Sequence, residues 1–157
     1  MNFQIKGLAA GAFAPLFKLG DAELAHHSAM RMIADRSPGF PCRVSLRDAD
    51  VGETVLLVNY EHAPLASPYR SCHAVFVREQ ATEARLEINE IPEMLSTRLL
   101  SLRAFDDAGM MVDADVVQGR KLETAVKRML RSSRVRYLHA HNAKPGCFAA
   151  RIDRSET

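Results

Sequence analysis

The sequence predicts an α+β protein, with one domain over residues 1–157 and a largely antiparallel sheet carrying a few packed helices. The length of 157 residues is that of one ordinary domain with a core of its own. Hydrophobic residues make up 47% and charged residues 25%, which is average for a globular protein. Strand-like segments outnumber helical ones and follow one another at hairpin length, which favours antiparallel pairing.

The first part of the chain predicts short elements. Phe3 and Ile5 alternate with polar neighbours, as in a strand with one buried face. A short helix is predicted over 12–19, and a second begins near residue 20 with acidic residues in its first turn. A strand over 30–34 follows. Two prolines and a glycine within 37–41 then fix a turn.

The middle of the chain predicts mostly strands. These segments are apolar or alternating and are bounded by turn residues; they are 42–46, 54–61, 71–77, 99–105 and 110–117. One short helix interrupts them, beginning at Pro92 and running to residue 98.

The main helix is predicted over about 120–131. Its apolar residues are spaced i, i+3, i+4, i+7 and i+8 and form one stripe, namely Leu122, Ala125, Val126, Met129 and Leu130. Strands over 134–141 and 148–152 complete the chain, so this helix is the place where a crossover connection fits. The expected result is a sheet with one dominant helix against it.

Charge, hydropathy and cysteine content limit the partners and the cellular compartment that are expected. A formal charge of +2 is close to balanced and argues against a nucleic-acid partner. No stretch approaches the roughly 20 apolar residues of a membrane helix, so no membrane partner is expected. Cys42, Cys72 and Cys147 cannot all pair with one another, which favours a reducing cytoplasm. Self-association into a homo-oligomer is left open.

Several catalytic motifs are absent from the sequence. It contains no phosphate-binding glycine loop, no dinucleotide fingerprint, no G-x-S-x-G elbow, no H-E-x-x-H and no paired C-x-x-C. These absences argue against the corresponding enzyme classes. They leave open whether the protein is an enzyme at all, and they identify no cofactor.

The most suggestive local pattern is His139-x-His141. On a strand the two imidazoles share one face, a geometry that zinc and iron sites use. A third ligand has to come from elsewhere. His73, on another predicted strand, is one candidate, and further options are Cys42, Cys72, Cys147 and Asp113. The alternative interpretation of the pair is two half-buried, hydrogen-bonded histidines.

The leading functional hypothesis uses similar residues without a metal. A site for a small anionic molecule is expected at one end of the sheet, built from His73, His139, His141 and Arg43, since a guanidinium matches carboxylate or phosphate. Candidate catalytic groups are His73, His139, His141 and Cys42, as acid, base or nucleophile. Candidate ligand-binding groups are Arg43, Asn59, His62, Arg70, Asn142 and Cys147. For each cysteine the alternative is a small buried apolar residue.

A set of phrases along the chain resembles the bacterial family called domain of unknown function 1203. The phrases lie at 38–46, 57–62, 67–70, 73–79, 103–106, 113–114, 139–143 and 146–147. The resemblance spans nearly the whole chain and implies a stand-alone bacterial protein of this size. It implies no activity. The candidate residues named above lie within these phrases.

A third class of function is an interaction or dimerisation module without catalysis. It calls for an exposed apolar patch of several hundred square ångströms. The sequence has no tryptophan and only 6% aromatic residues, which gives such an aromatic-anchored interface little support.

Overall fold

A computed structural model describes residues 1–156 and contains eight strands in two antiparallel sheets with short helices. The strands are β1 (Asn2–Lys6), β2 (Ala29–Ile33), β3 (Thr54–Ala63), β4 (Ser71–Arg78), β5 (Leu99–Phe105), β6 (Met111–Gln118), β7 (Tyr137–Asn142) and β8 (Phe148–Ser155). The α-helices are α1 (Asp21–His26), α2 (Glu93–Ser96) and α3 (Leu122–Met129), and 3-10 helices lie at Ala10–Ala12, Ala14–Lys18 and Gly119–Lys121. The α+β class and the antiparallel pairing are confirmed.

The strands are divided between two sheets, a division that the sequence did not predict. The larger sheet has the order β1-β8-β7-β5-β6 and the smaller one the order β2-β3-β4. Both β6 and β7 pair antiparallel with β5, so they run parallel to each other, and α3 is the crossover between them. The crossover therefore falls where the long apolar stripe predicted it.

One face of the larger sheet forms the main core. Buried residues of α3, such as Leu122 and Val126, pack with Leu100, Leu102 and Leu138 from the central strands. The register pairs His139 with Arg103 and Tyr137 with Phe105, so these residues share the opposite face. This second face carries the polar residues of the candidate site.

The predicted strand over 42–46 is wrong. Only isolated bridges occur there, joining Pro41 to Asp48 and Cys42 to Phe76. The backbone N–H of Leu46 donates to the Cys42 carbonyl at 3.0 Å, and Leu46 has a φ of 51°. A turn with a left-handed residue cannot continue as a strand, so alternating apolar residues here fill the core from a compact loop.

No helix within residues 1–156 is long and apolar enough to cross a membrane.

Gly119 occupies a place with no room for a side chain. A Cβ built there would lie 2.0 Å from the Leu95 carbonyl oxygen and 2.6 Å from that of Ser96. Its own N–H donates to the Arg98 carbonyl at 2.7 Å, which fixes this close approach. The end of β6 is thereby held against α2.

We expect Gly119→Ala to lower the free energy of unfolding by about 1–3 kcal/mol, because the added methyl group must push backbone atoms apart. Urea unfolding followed by circular dichroism measures the change. Gly11→Ala is the matched control, since nothing lies within 4 Å of its Cβ position. Equal effects of the two substitutions would show that the contact around Gly119 is not a constraint.

Candidate functional site

Three imidazoles converge between the two sheets. His139 and His141 come from β7, and His62 comes from the end of β3. One ring nitrogen from each lies within 4.8 Å of the others. His139 is 3% exposed and His141 1% exposed, while His62 is half-buried. We call these three residues the histidine cluster.

A single aromatic ring organises this cluster. Phe148, at the start of β8, stacks on His62 with the ring centroids 5.0 Å apart and the planes 8° apart. The same ring meets His139 and His141 edge-on at 5.1 and 5.8 Å. A β-bulge between Ala140 and His141 places Phe148 opposite His141. The bulge therefore sets the orientation of the cluster.

The hydrogen bonding of the three imidazoles is incomplete. Nδ1 of His141 lies 2.9 Å from the Gly146 carbonyl oxygen, so it carries the proton and leaves Nε2 with a free lone pair. The buried Nδ1 atoms of His62 and His139 have no partner within residues 1–156. A buried polar atom without a partner costs about 1–3 kcal/mol, which calls for an explanation.

Burial keeps the cluster uncharged. It lowers the pKa of His139 to about 3, with smaller contributions from the positive charge of His141, His62 and two arginines. Burial likewise lowers the pKa of His141 to about 4, against the opposing effect of its bond to Gly146. The pKa of His62 falls to about 4, through burial and then the charges of His73 and Arg103. At neutral pH all three imidazoles are therefore uncharged.

A pocket of about 440 Å³ lies beside this cluster. Arg43, Asn142 and Cys147 line it, and the Arg43 guanidinium donates to Cys147 Sγ at 3.0 Å. Asn142 Nδ2 donates to the same sulfur at 3.3 Å. Three of the predicted ligand-binding residues are therefore together.

The remaining sequence candidates lie apart from both groups. Cys42 is fully buried in apolar packing, where its Sγ accepts the backbone N–H of Arg78 at 3.3 Å. Arg70 forms a two-pronged ion pair with Glu61 at 3.0 and 3.1 Å on the surface. The side chain of Asn59 is exposed.

His73 was the expected third metal ligand, but it is not a member of the cluster. It lies on β4 opposite Tyr60, and its Nδ1 is 3.3 Å from the Ala74 carbonyl oxygen. Its charge still acts on His62 and His141. The sequence did not predict that His62 lies beside His139 and His141, or that Phe148 lies at the centre of the cluster. The usable signal for His62 was its position where an apolar strand turns polar.

The metal-free protein should lose stability as the pH falls from 7 to 5. Unfolded imidazoles take up protons below about 6.5, whereas the folded ones stay neutral until the pH nears about 3 to 4. Over this window the unfolded state binds more protons, so acid favours unfolding, by roughly 2 kcal/mol per fully buried imidazole at pH 5. Urea unfolding at a series of pH values in a metal chelator measures the slope.

His139→Gln is the matched variant for this slope, because glutamine keeps the hydrogen-bonding capacity but does not titrate. Its stability should fall less steeply with acidification than that of the wild-type protein. Parallel slopes for the two proteins would mean that His139 is not held neutral by the fold.

Comparison with known proteins gives one match. No curated protein matches the chain. No solved structure matches it either. A family model described as a protein of unknown function (DUF1203) matches residues 39–154, a span that includes the histidine cluster and Arg43. Because this match covers well over half of the 157 residues, the chain belongs to the DUF1203 family.

Proposed function

We propose that this protein binds a transition-metal ion of the zinc type through His62, His139 and His141. The observation that supports the proposal is the convergence of three ring nitrogens within 4.8 Å in a largely buried site. Zn–N bonds of about 2.0–2.1 Å put tetrahedral ligands roughly 3.3 Å apart. The nitrogens would therefore have to approach one another by about 1.5 Å at most to reach coordination distance.

The protonation of the cluster suits coordination. A metal-binding imidazole must be neutral, and the lowered pKa values keep all three neutral at pH 7. The bond from His141 to the Gly146 carbonyl resembles the outer hydrogen bond that orients most metal-bound histidines. A metal ion bound through Nδ1 of His62 or His139 would also give a partner to a nitrogen that has none within residues 1–156.

The ligand set indicates which metals fit. Imidazole nitrogen suits zinc, copper, iron and nickel. Magnesium and calcium prefer oxygen ligands, and the cluster contains no carboxylate. Zinc or another first-row transition metal is therefore the expected ion.

Three protein ligands leave a fourth position for water or substrate, as in catalytic zinc sites. Arg103 pairs with His139 across the sheet, so its positive charge would favour an anionic fourth ligand such as hydroxide. The half-buried His62 marks the side nearest solvent. A metal-bound hydroxide acting as nucleophile in a hydrolysis is the chemistry that this arrangement would suit.

Untagged, chelator-treated protein should bind about one equivalent of Co²⁺ with a tetrahedral visible spectrum, and Zn²⁺ should displace it. His62→Ala should weaken Zn²⁺ binding by at least about tenfold, because losing even an outer-shell partner has an effect of this size. Competition against a chromophoric chelator measures the affinity.

His26→Ala is the matched control, because His26 is exposed on α1 and is not a member of the cluster. This variant should bind the metal with the affinity of the wild-type protein. Circular dichroism checks that each variant is folded. Two results contradict the proposal: a wild-type protein that takes up no Co²⁺ or Zn²⁺, or equal affinities for wild type and His62→Ala.

A further inference from the structure

The pocket beside the histidine cluster has a lining of one sign of charge. Its walls come from the β7–β8 turn, the loop around Arg43, the exposed residue Ala74 of β4, and the start of β5. Arg43, Arg98 and Lys144 line it, and none of the lining residues is acidic. Arg98 is already paired with Asp48 at 2.6 and 2.9 Å, so its charge is offset from outside the pocket. Lys144 is exposed to solvent, so Arg43 is the buried cation of the lining that has no carboxylate partner within residues 1–156.

Arg43 is a buried charge without a carboxylate partner. It is 1% exposed, and its guanidinium donates to the Phe148 carbonyl at 2.7 Å, to the Pro41 carbonyl and to Cys147 Sγ. No ion pair to it occurs within residues 1–156. Burial lowers its pKa, which reflects the cost of holding the charge there.

Arg43 also retains unused donors. The three bonds employ one N–H on each nitrogen, whereas each terminal nitrogen of a guanidinium carries two. An anion in the pocket could accept from both terminal nitrogens in the two-pronged geometry that arginine favours. Such an anion would offset the buried charge.

Asn142 adds a second unused group. It is 6% exposed, and its Nδ2 shares the Cys147 sulfur with Arg43. Its Oδ1 is buried and has no partner within residues 1–156. Because an amide oxygen only accepts hydrogen bonds, a ligand that satisfies it must carry a hydroxyl or N–H donor.

The rest of the lining is apolar. Phe76, Leu99, Pro41, Ala143 and Pro145 supply this surface. A volume of about 440 Å³ is that of a small-molecule site. The pocket therefore combines one cationic end with walls suited to a hydrocarbon body.

We propose that this pocket binds a small organic acid with an apolar body, its carboxylate on Arg43 and an adjacent hydroxyl donating to Asn142 Oδ1. The ligand class is a 2-hydroxycarboxylate with an aliphatic side chain. The pocket lining does not include the histidine cluster, so this proposal and the proposed function are tested independently.

Isothermal titration calorimetry with three matched probes tests it: 2-hydroxy-4-methylpentanoate, 4-methylpentanoate and 4-methylpentanamide. The hydroxy acid should bind most tightly and the neutral amide at least about tenfold more weakly than the acid without the hydroxyl. Equal binding of that acid and the amide would overturn the role of Arg43. Equal binding of the two acids would overturn the role of Asn142, and no binding of either acid at millimolar concentration would overturn the site.

Because Arg43 is buried, its substitution could unfold the protein, so the location is tested at the exposed Ala74. Ala74→Trp should fill the pocket and abolish binding of the hydroxy acid. Ala114→Trp, at an exposed alanine of β6 outside the pocket lining, is the control and should bind like wild type. Unchanged binding in Ala74→Trp would overturn the assignment of the acid to this pocket.

Discussion

The hydrogen bonds of Arg43 are the constraint on which the joining of the two sheets depends. Its backbone N–H donates to the Phe76 carbonyl of β4 at 3.0 Å, and its carbonyl accepts the N–H of Leu8 at 2.8 Å. Its side chain reaches the Phe148 carbonyl of β8. One residue thus ties both sheets to the N-terminal segment. A buried guanidinium keeps its position because every displacement leaves a charge without hydrogen bonds.

Phe148 transmits this constraint to the histidine cluster. Its carbonyl is fixed by Arg43, while its ring touches all three imidazoles. The bulge at His141 sets the register in which these contacts are made. The histidine cluster and the pocket lined by Arg43 are consequently both supported at the start of β8. Phe148 contacts the cluster, and Cys147, the residue before β8, lines the pocket. A substitution of Cys147 or Phe148 should therefore alter both the pocket and the histidine cluster.

Residue periodicity in the sequence predicted those helices and strands that depend on local spacing. The apolar stripe of α3 and the alternation in β5 and β7 are periodic, so their elements and the shared face of His139 and His141 followed from the sequence. The position of His62, the member of the cluster that comes from the end of β3, did not follow from the sequence. Its pairing with β4 is irregular between Tyr60 and Ala63, and an irregularity of this kind changes the direction of His62 in a way that simple alternation does not encode. The strand prediction over 42–46 was wrong for a related reason, because apolar residues that fill a core from a turn have the same pattern as a short strand.

The polar interior is hard to account for by stability alone. Within residues 1–156, three neutral imidazoles, a guanidinium without a carboxylate partner and an amide oxygen without a hydrogen bond lie where apolar side chains of similar volume would pack at lower cost. The main core on the other face of the same sheet shows the alternative, since it is built from apolar residues such as Leu102, Val126 and Phe3. Places where a fold departs from consistent local choices are those where function is expected. The two departures here are adjacent and chemically distinct, one offering neutral nitrogen ligands and the other a positive charge. The proposed metal ion and the proposed organic acid would give each of these departures a purpose.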